Sequence, residues 1–287
     1  MKIIFLTFIA YLLNWGASGA DSTEDAYYAM MSFNVSDDQT YLLYKCHHEF
    51  DIKSKEDEEA ALATITTRRD EMFKQIFAPL DYDFYTLQEI SDLERCKTWF
   101  AGKNYGFVHD HIDTCIVYNK DKFTLVEDKT ESESGLFSIA LLRDNTNKKL
   151  IQVFCAHLTG CHKHTPDLVE AEVGNKQLEQ LLLNINEAAA MNVLGADFNT
   201  SPNYKYRQQI ATDLGFMTDD YDDGKGTIFD GSKIDYIRAR NGSGHSVEVQ
   251  DSSVPQKLPG DANNPSDHRY IVKRFKVSEN QSLCTIM

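Results

Sequence analysis

Basic residues are scarce in this chain, and their scarcity is the first constraint on what it can do. Lys and Arg number 29 against 44 Asp and Glu, a net charge of -15 at neutral pH. Arg68-Arg69 and Lys148-Lys149 are the main basic clusters. A chain this acidic is not drawn to nucleic acid or to an anionic membrane by charge alone. It can still take a phosphate substrate, because a bound cation reverses the local sign. Past the N-terminal stretch, no segment is apolar enough to cross a bilayer. Internal repeats, low-complexity tracts and Pro-rich linkers are absent, so nothing in the sequence divides it into modules. No cysteine spacing has the pattern of a zinc knuckle or a redox C-x-x-C.

What is present is a 287-residue chain with 42% apolar content, enough for a sizeable core without reliance on disulfides. Met1–Ala20 reads as a cleaved secretory signal. Lys2 is its basic start, Ile3–Leu13 its apolar stretch and Ser18-Gly19-Ala20 its small-residue cleavage site. The mature protein is therefore expected to be secreted and soluble. The 6 cysteines are Cys46, Cys96, Cys115, Cys155, Cys161 and Cys284. Export permits disulfides, and Cys155 and Cys161 can close a small loop beside His157. Cys115 and Cys155 also lie in apolar runs, where core thiols are common. The C-terminal Cys284-Thr285-Ile286-Met287 matches a prenylation box, which conflicts with export. The match is either chance or a sign of delivery into another cell's cytosol.

Apolar patterning predicts strands at Tyr27–Val35, Asp83–Gln88, Asp113–Asn119, Phe123–Glu127, Leu136–Arg143 and Leu150–His157. Further strands are expected at Met191–Ala196, Lys233–Arg240, His245–Gln250 and Arg269–Val277. Helical spacing covers Ala60–Phe77, ended by Pro79, and Leu168–Glu187, with a short helix at Tyr204–Leu214. Ser36–Glu59 reads as a loop, and D-N-T-N-K-K at 144–149 as a hairpin turn. Few helices among many strands predict a layered α/β domain over residues 21–277, with 278–287 as a tail.

Polar signatures stand at the ends of these runs. They are S-F-N at 32–34, L-Q-E at 87–89, A-H-L at 156–158, G-A-D-F-N at 195–199, I-D-Y-I at 234–237 and S-D-H at 266–268. Glu89 ends a strand with a carboxylate, an oxygen ligand suited to magnesium. Asp197 and Asn199 leave one strand two residues apart and so share a face. Asp197 can bind metal or the attacking water, and Asn199 can donate to a phosphoryl oxygen. His268 is a natural general base, Asp235 a candidate to fix its tautomer, and Asp267 is free to bind metal. His157 can donate to a phosphate or protonate a leaving oxygen, with Asp113 as its acidic partner. Asn34 can offer its carboxamide to the same cluster. His47, His48, His109, His111, His162, His164 and His245 read as surface or loop histidines. H-D-H at 109–111 and H-K-H at 162–164 are weak candidates for a stray metal. Singly, each motif has a bland reading as a turn residue or a solvated side chain; together they suit cation-assisted cutting of a phosphate ester.

These motifs resemble those of the endonuclease/exonuclease/phosphatase superfamily, whose fold is like that of pancreatic deoxyribonuclease. The resemblance runs from about Ala29 to Val277. It implies a four-layer α/β/β/α sandwich with two packed, mostly antiparallel sheets. It implies that Asn34, Glu89, Asp197, Asn199 and Asp267 gather around magnesium (manganese or calcium as substitutes) and the scissile phosphate. It further implies that His268, oriented by Asp235, activates water, and that His157 stabilises or protonates across the phosphate. The sequence departs from the pattern in places. His157 sits in C-A-H-L where many members have a Thr before the His, Tyr270 replaces the usual Pro after S-D-H-x, and the helix before G-A-D-F-N lacks the Arg that many carry. The P-x-W-x-D-R signature of inositol 5-phosphatases is absent around Asp235.

The leading expectation is an exported, magnesium-dependent nuclease acting on DNA or RNA as a monomer. A sphingomyelinase-like or phosphoinositide-directed phosphoesterase acting on a lipid headgroup is the second. A toxin-like binding subunit that has kept the fold and lost turnover is the third.

Overall fold

The sequence patterns fold into strands and helices over the residues that the computed structural model describes: 25–37, 39–131, 136–160, 168–200, 205–217, 227, 233–254 and 265–280. Met1–Ala20, His162, His164, Cys161 and the Cys284–Met287 tail lie outside the described residues. The strands are β1 (Ala26–Asn34), β2 (Phe84–Gln88), β3 (Tyr105–His109), β4 (Cys115–Asn119), β5 (Phe123–Glu131) and β6 (Leu136–Asp144). They continue as β7 (Leu150–His157), β8 (Met191–Asp197), β9 (Asp235–Asn241), β10 (His245–Ser253) and β11 (Ile271–Glu279). The helices are α1 (Gln39–Glu49), α2 (Lys55–Phe77), α3 (Leu93–Trp99), α4 (Leu168–Leu182) and α5 (Lys205–Asp213).

Two sheets form, ordered β10-β11-β1-β2-β4-β3 and β5-β6-β7-β8-β9. Only β1–β2 and β7–β8 pair in parallel; the other ladders are antiparallel. The inner faces of both sheets bury Met30, Phe84, Ile116, Val153, Met191, Val193, Ile237 and Phe275 against one another. On the outer face of the first sheet, Phe73 and Phe77 of α2 and Trp99 of α3 cover Phe33, Tyr85 and Leu87. On the outer face of the second, Leu178 and Leu181 of α4 and Ala211 of α5 cover Phe154, Leu194 and Phe198. The layers are therefore α/β/β/α, as the resemblance implied. The sheets approach closely at Gly195. A Cβ there would lie 2.1 Å from Thr86 Oγ1 and 2.5 Å from Met30 Cε, so this strand position admits no side chain.

Several local expectations change. Ser36–Glu59 is not one loop. It contains α1, whose Leu42 and Cys46 pack on Ala61 and Ile65 of α2. Helix α2 begins at Lys55 rather than Ala60. Ser54 and Asp57 form a capping box, with Asp57 N donating to Ser54 Oγ at 3.1 Å and Ser54 N donating to Asp57 Oδ2 at 3.0 Å. The acidic run at 56–58 is then a first helical turn, where the helix dipole favours anions. Helix α4 ends at Leu182, five residues short of Glu187. The disulfide expectation is corrected as well: Cys46, Cys96, Cys115 and Cys155 are free, buried thiols. Cys155 points into the core between the sheets, where its Sγ donates to Leu87 O at 3.3 Å. His109 is not a surface residue. It is buried at the end of β3, with Nε2 3.1 Å from Ile90 O.

Candidate active site

The register of the second sheet builds half of the site directly. His157 pairs with Asp197 across β7 and β8, and Asp197 pairs with Asp235 across β8 and β9. The three residues form one row at the end of three adjacent strands, so their side chains lie on one face. In the first sheet Asn34 pairs with Gln88, and Glu89 follows at the strand exit. Sandwich packing brings the two strand ends together. Asn34 Nδ2 donates to Glu89 Oε1 at 2.8 Å and to Asp197 Oδ2 at 3.0 Å, bridging the sheets.

Backbone conformation is unusual at these exits. Glu89, Asn199 and Ser36 have φ of 58°, 50° and 51°, in the left-handed region that a non-glycine residue enters at a cost of about 1 kcal/mol or more. Hydrogen bonds hold them there. Asp197 Oδ1 accepts from Asn199 N at 2.7 Å, and Asn34 Oδ1 accepts from Ser36 N at 2.9 Å. Asn34 therefore presents its amide NH₂, a donor, to the carboxylates. In this geometry it orients Glu89 and Asp197 rather than offering an oxygen to a cation.

Two histidine–carboxylate pairs face one another across Asp197. His268 Nδ1 lies 2.9 Å from Asp235 Oδ2, and its Nε2 lies 3.9 Å from both Asp197 Oδ2 and Asp267 Oδ1. His157 Nδ1 lies 2.8 Å from Asp113 Oδ2, and its Nε2 lies 3.8 Å from Glu89 Oε1 and 3.9 Å from Asp197 Oδ2. Each ring is anchored through Nδ1 and turns Nε2 to the centre. Asp267 is the outer member, with a side chain 54% exposed, and accepts from Ser36 Oγ. All eight anticipated residues thus converge on one place, together with Asp113.

The electrostatics follow from crowding carboxylates where water is thin. Burial raises Glu89 to about 7, with neighbouring Asp197 adding to the rise against the pull of His157 and Asn34. Burial would lower both imidazoles, yet Asp113 holds His157, and Asp235 holds His268, up at about 10. Burial also pushes Asp235 upward, so the proton on the Asp235–His268 pair is held strongly. Asn199 Oδ1 and Asp235 Oδ1 are buried without a partner. Hard oxygen donors, excess negative charge and orphan oxygens are the environment that a divalent cation of the magnesium type fits. Among the described residues, Asp197, Asp235 and His268 can each offer one ligand atom with all three within 4.8 Å of one another. Asp235 Oδ2 and His268 Nδ1 are already spent on each other, so Asp197, Glu89 and Asp267 are the better oxygen ligands.

Sequence reasoning missed the residues that hold this arrangement. Asp110 Oδ1 accepts from the backbone N–H of Ile112, Asp113 and Thr114 at 2.9, 2.7 and 3.0 Å and so fixes Asp113 beside His157. Ser36 Oγ lies 2.9 Å from Ser266 Oγ, and Ser266 Oγ accepts from His268 N at 3.0 Å. Thr227 Oγ1 accepts from Asp235 N at 3.1 Å. The Ser of S-D-H and the Asp of H-D-H stand in recognisable motifs but show no supporting role there; Ser36 and Thr227 carry no signal in a single sequence. Tyr270, in the place of the usual Pro, packs edge-on to Phe33 with ring centroids 5.7 Å apart.

Comparison with known proteins places the fold. No family model matches the chain, and no curated protein sequence does. Solved structures do. An endonuclease/exonuclease/phosphatase family protein from Bacteroides thetaiotaomicron is 16% identical, with TM-score 0.58, over 88% of this chain and 98% of its own. The human Nocturnin catalytic domain with bound sulfate is 17% identical, with TM-score 0.60, over 89% and 97%. D. rerio TDP2 complexed with single-strand DNA product is 15% identical, with TM-score 0.61, over 87% and 99%. At such identities the likeness is one of fold, and it covers nearly the whole of each of these structures.

Proposed function

We propose that this chain, which has the endonuclease/exonuclease/phosphatase fold, is a divalent-cation-dependent phosphoesterase that hydrolyses phosphodiester bonds, with a nucleic acid strand as the favoured substrate. The observation that carries the reading is the meeting of Glu89 and Asp197 on Asn34, flanked by two histidine–carboxylate pairs. The choice of a nucleic acid takes its support from TDP2, which is similar in fold and was captured with single-strand DNA product.

Glu89, Asp197 and Asp267 would hold a magnesium ion, which would supply positive charge to offset the phosphate and its leaving oxygen. The chain's own groups do the rest. With Nδ1 tied to Asp235, His268 has only Nε2 to take a proton from water, and Asp235 stabilises the imidazolium that forms. His157, tied to Asp113 in the same way, presents Nε2 as a proton donor to a phosphoryl or leaving oxygen. Positive charge brought into the site would draw both imidazole pKa values down from about 10. Asn199 sits at a fixed height because its Nδ2 donates to Leu158 O at 3.1 Å.

The test is to incubate purified protein with plasmid, single-stranded oligonucleotide, sphingomyelin and a phosphoinositide, each with magnesium and with chelator. Cleavage of a nucleic acid that needs the cation supports the reading. Turnover of a lipid alone moves it to a lipid phosphoesterase, and tight protein binding with no turnover to a binding subunit. We also propose that the protein acts after export, from the Met1–Ala20 pattern. Recovery of the protein only from the cell interior, with Met1–Ala20 still attached, would reject this.

A further inference from the structure

We propose that two buried arginines, Arg69 and Arg207, are positioning residues that set the two halves of the site independently; the meaning of the halves rests on the phosphoesterase reading. Arg69, on α2, is 1% exposed. Its Nε donates to Pro265 O at 2.6 Å, and its Nη2 donates to Val35 O at 2.6 Å and Ser36 O at 2.8 Å. Nη1 lies 3.4 Å from Asp37 Oδ1, a carboxylate that Arg95 also holds at 2.7 Å. These carbonyls belong to two segments far apart in sequence, the exit of β1 and the entry to S-D-H.

Beyond Arg69 the two segments are joined by hydroxyls. Ser266 Oγ donates to Asn34 O at 2.7 Å and accepts from His268 N at 3.0 Å. Ser36 Oγ donates to Asp267 Oδ1. Arg69 therefore fixes the distance between Asn34 on one side and Asp267 and His268 on the other. This is the half that faces the cation and the attacking water.

Arg207, on α5, is 0% exposed and holds the opposite wall. Its Nη2 donates to Thr159 O at 2.6 Å and to Ala171 O at 3.2 Å, and its Nη1 donates to Phe198 O. Thr159 stands two residues after His157, and Phe198 directly before Asn199. Nε donates to Asn175 Oδ1 of α4 at 3.1 Å. Gly174 of α4 leaves the space for this guanidinium. A Cβ there would lie 2.0 Å from both Arg207 Nη2 and Thr159 O. The helix before G-A-D-F-N, which has no Arg of its own, is served from α5. Arg207 thus sets His157 and Asn199, the half that faces the phosphate.

The chemistry requires guanidinium. Carbonyls from separate segments are acceptors only, and a planar fork of five N–H donors can reach three of them at once. An ammonium of three donors on one atom cannot span the same points. The hydrophobic layers already hold the sheets and helices, so the arginine bonds act on the segments that carry the site.

The test uses full-length Arg69→Lys and Arg207→Lys proteins. The first readout is ¹⁵N-imidazole NMR of chelated protein, with His157 and His268 assigned through His157→Gln and His268→Gln. Arg69→Lys is expected to shift or broaden the His268 signal and leave His157, and Arg207→Lys to do the reverse. The second readout is manganese affinity by titration calorimetry, with kcat and KM on bis(p-nitrophenyl) phosphate. Arg69→Lys should weaken the cation about 10- to 100-fold. Arg207→Lys should leave it unchanged and lower kcat about 100-fold. If either Lys variant fails to fold, Asp37→Asn and Asn175→Ala each weaken one arginine through its side-chain partner and should give the same split. Both histidine signals moving together in each variant, or neither moving in either, would overturn the proposal. Wild-type protein that binds no manganese and cleaves no ester defeats the phosphoesterase reading instead, and the NMR arm still decides the arginines.

Discussion

Glu89 offers the most quantitative perturbation. In the cation-free protein burial holds its carboxyl at about 7 against an ordinary 4.5. A group whose pKa rises on folding contributes stability that is fully present below its unfolded value and is lost as pH climbs through its folded value. Here the window runs from about 4.5 to about 7. At about 1.4 kcal/mol for each tenfold change in proton affinity, the loss across it approaches about 3 kcal/mol. His157 and His268, raised from 6.5 to about 10, also give up stability as pH climbs above 6.5, but they do so in variant and wild type alike, so the difference between the two proteins isolates Glu89. Glu89→Gln replaces the acid with a neutral side chain of the same shape. Urea denaturation with chelator present should find variant and wild type alike near pH 4.5, and the variant about 2–3 kcal/mol more stable at pH 8. Saturating magnesium should reverse the order, because only the wild type gains by binding it there. Equal stabilities from pH 5 to 8 in chelator would refute the claim that this carboxylate is held in a destabilised, cation-ready state.

Other outcomes follow from the same geometry. His268→Ala should lower turnover about 10³- to 10⁴-fold with the circular dichroism spectrum unchanged, and near-normal activity would remove His268 from the mechanism. Asp113→Asn and His157→Gln remove two parts of one unit, so the double variant should be little slower than either single one; additive losses would mean that they act separately. Gly195→Ala forces a methyl to within 2.1 Å of Thr86 Oγ1 between the sheets and should cost about 1–3 kcal/mol or more, measured as a lower Tm.

How legible the fold was depended on periodicity. Strands buried on both faces, such as Met191–Asp197, announce themselves as continuous apolar runs. Helix α4 shows Leu178, Leu181 and Leu182 at helical spacing. Helix α1 does not, because it buries little more than Leu42 and Cys46 along 11 residues, and its tyrosines and histidines read as polar chain. Helix α3 is 7 residues long and is started by an Asp92 cap that resembles any turn aspartate. The acidic start of α2 reads as loop in the sequence because its charge hides a capping box. The disulfide failed for a related reason. Spacing placed Cys155 near Cys161, but the alternation of β7 turns Cys155 inward to the core between the sheets.

The site was more legible than its supports, and the reason is physical. A catalytic carboxylate or imidazole must be one of a few residue types and must stand where a strand ends, so it leaves a mark that one sequence can show. Its holder need only donate to a carbonyl or accept from an N–H, which many side chains do from many elements. Arg69 and Arg207 look like surface cations in the sequence, yet they are 1% and 0% exposed and reach segments 33 and 48 residues away. A buried guanidinium loses hydration worth several kcal/mol, and only several well-placed carbonyls offset that. Such a residue is expensive to keep for packing alone. Two of them, each gathering the backbone on one wall of the same cleft, argue that what this fold protects most strictly is the spacing between its halves.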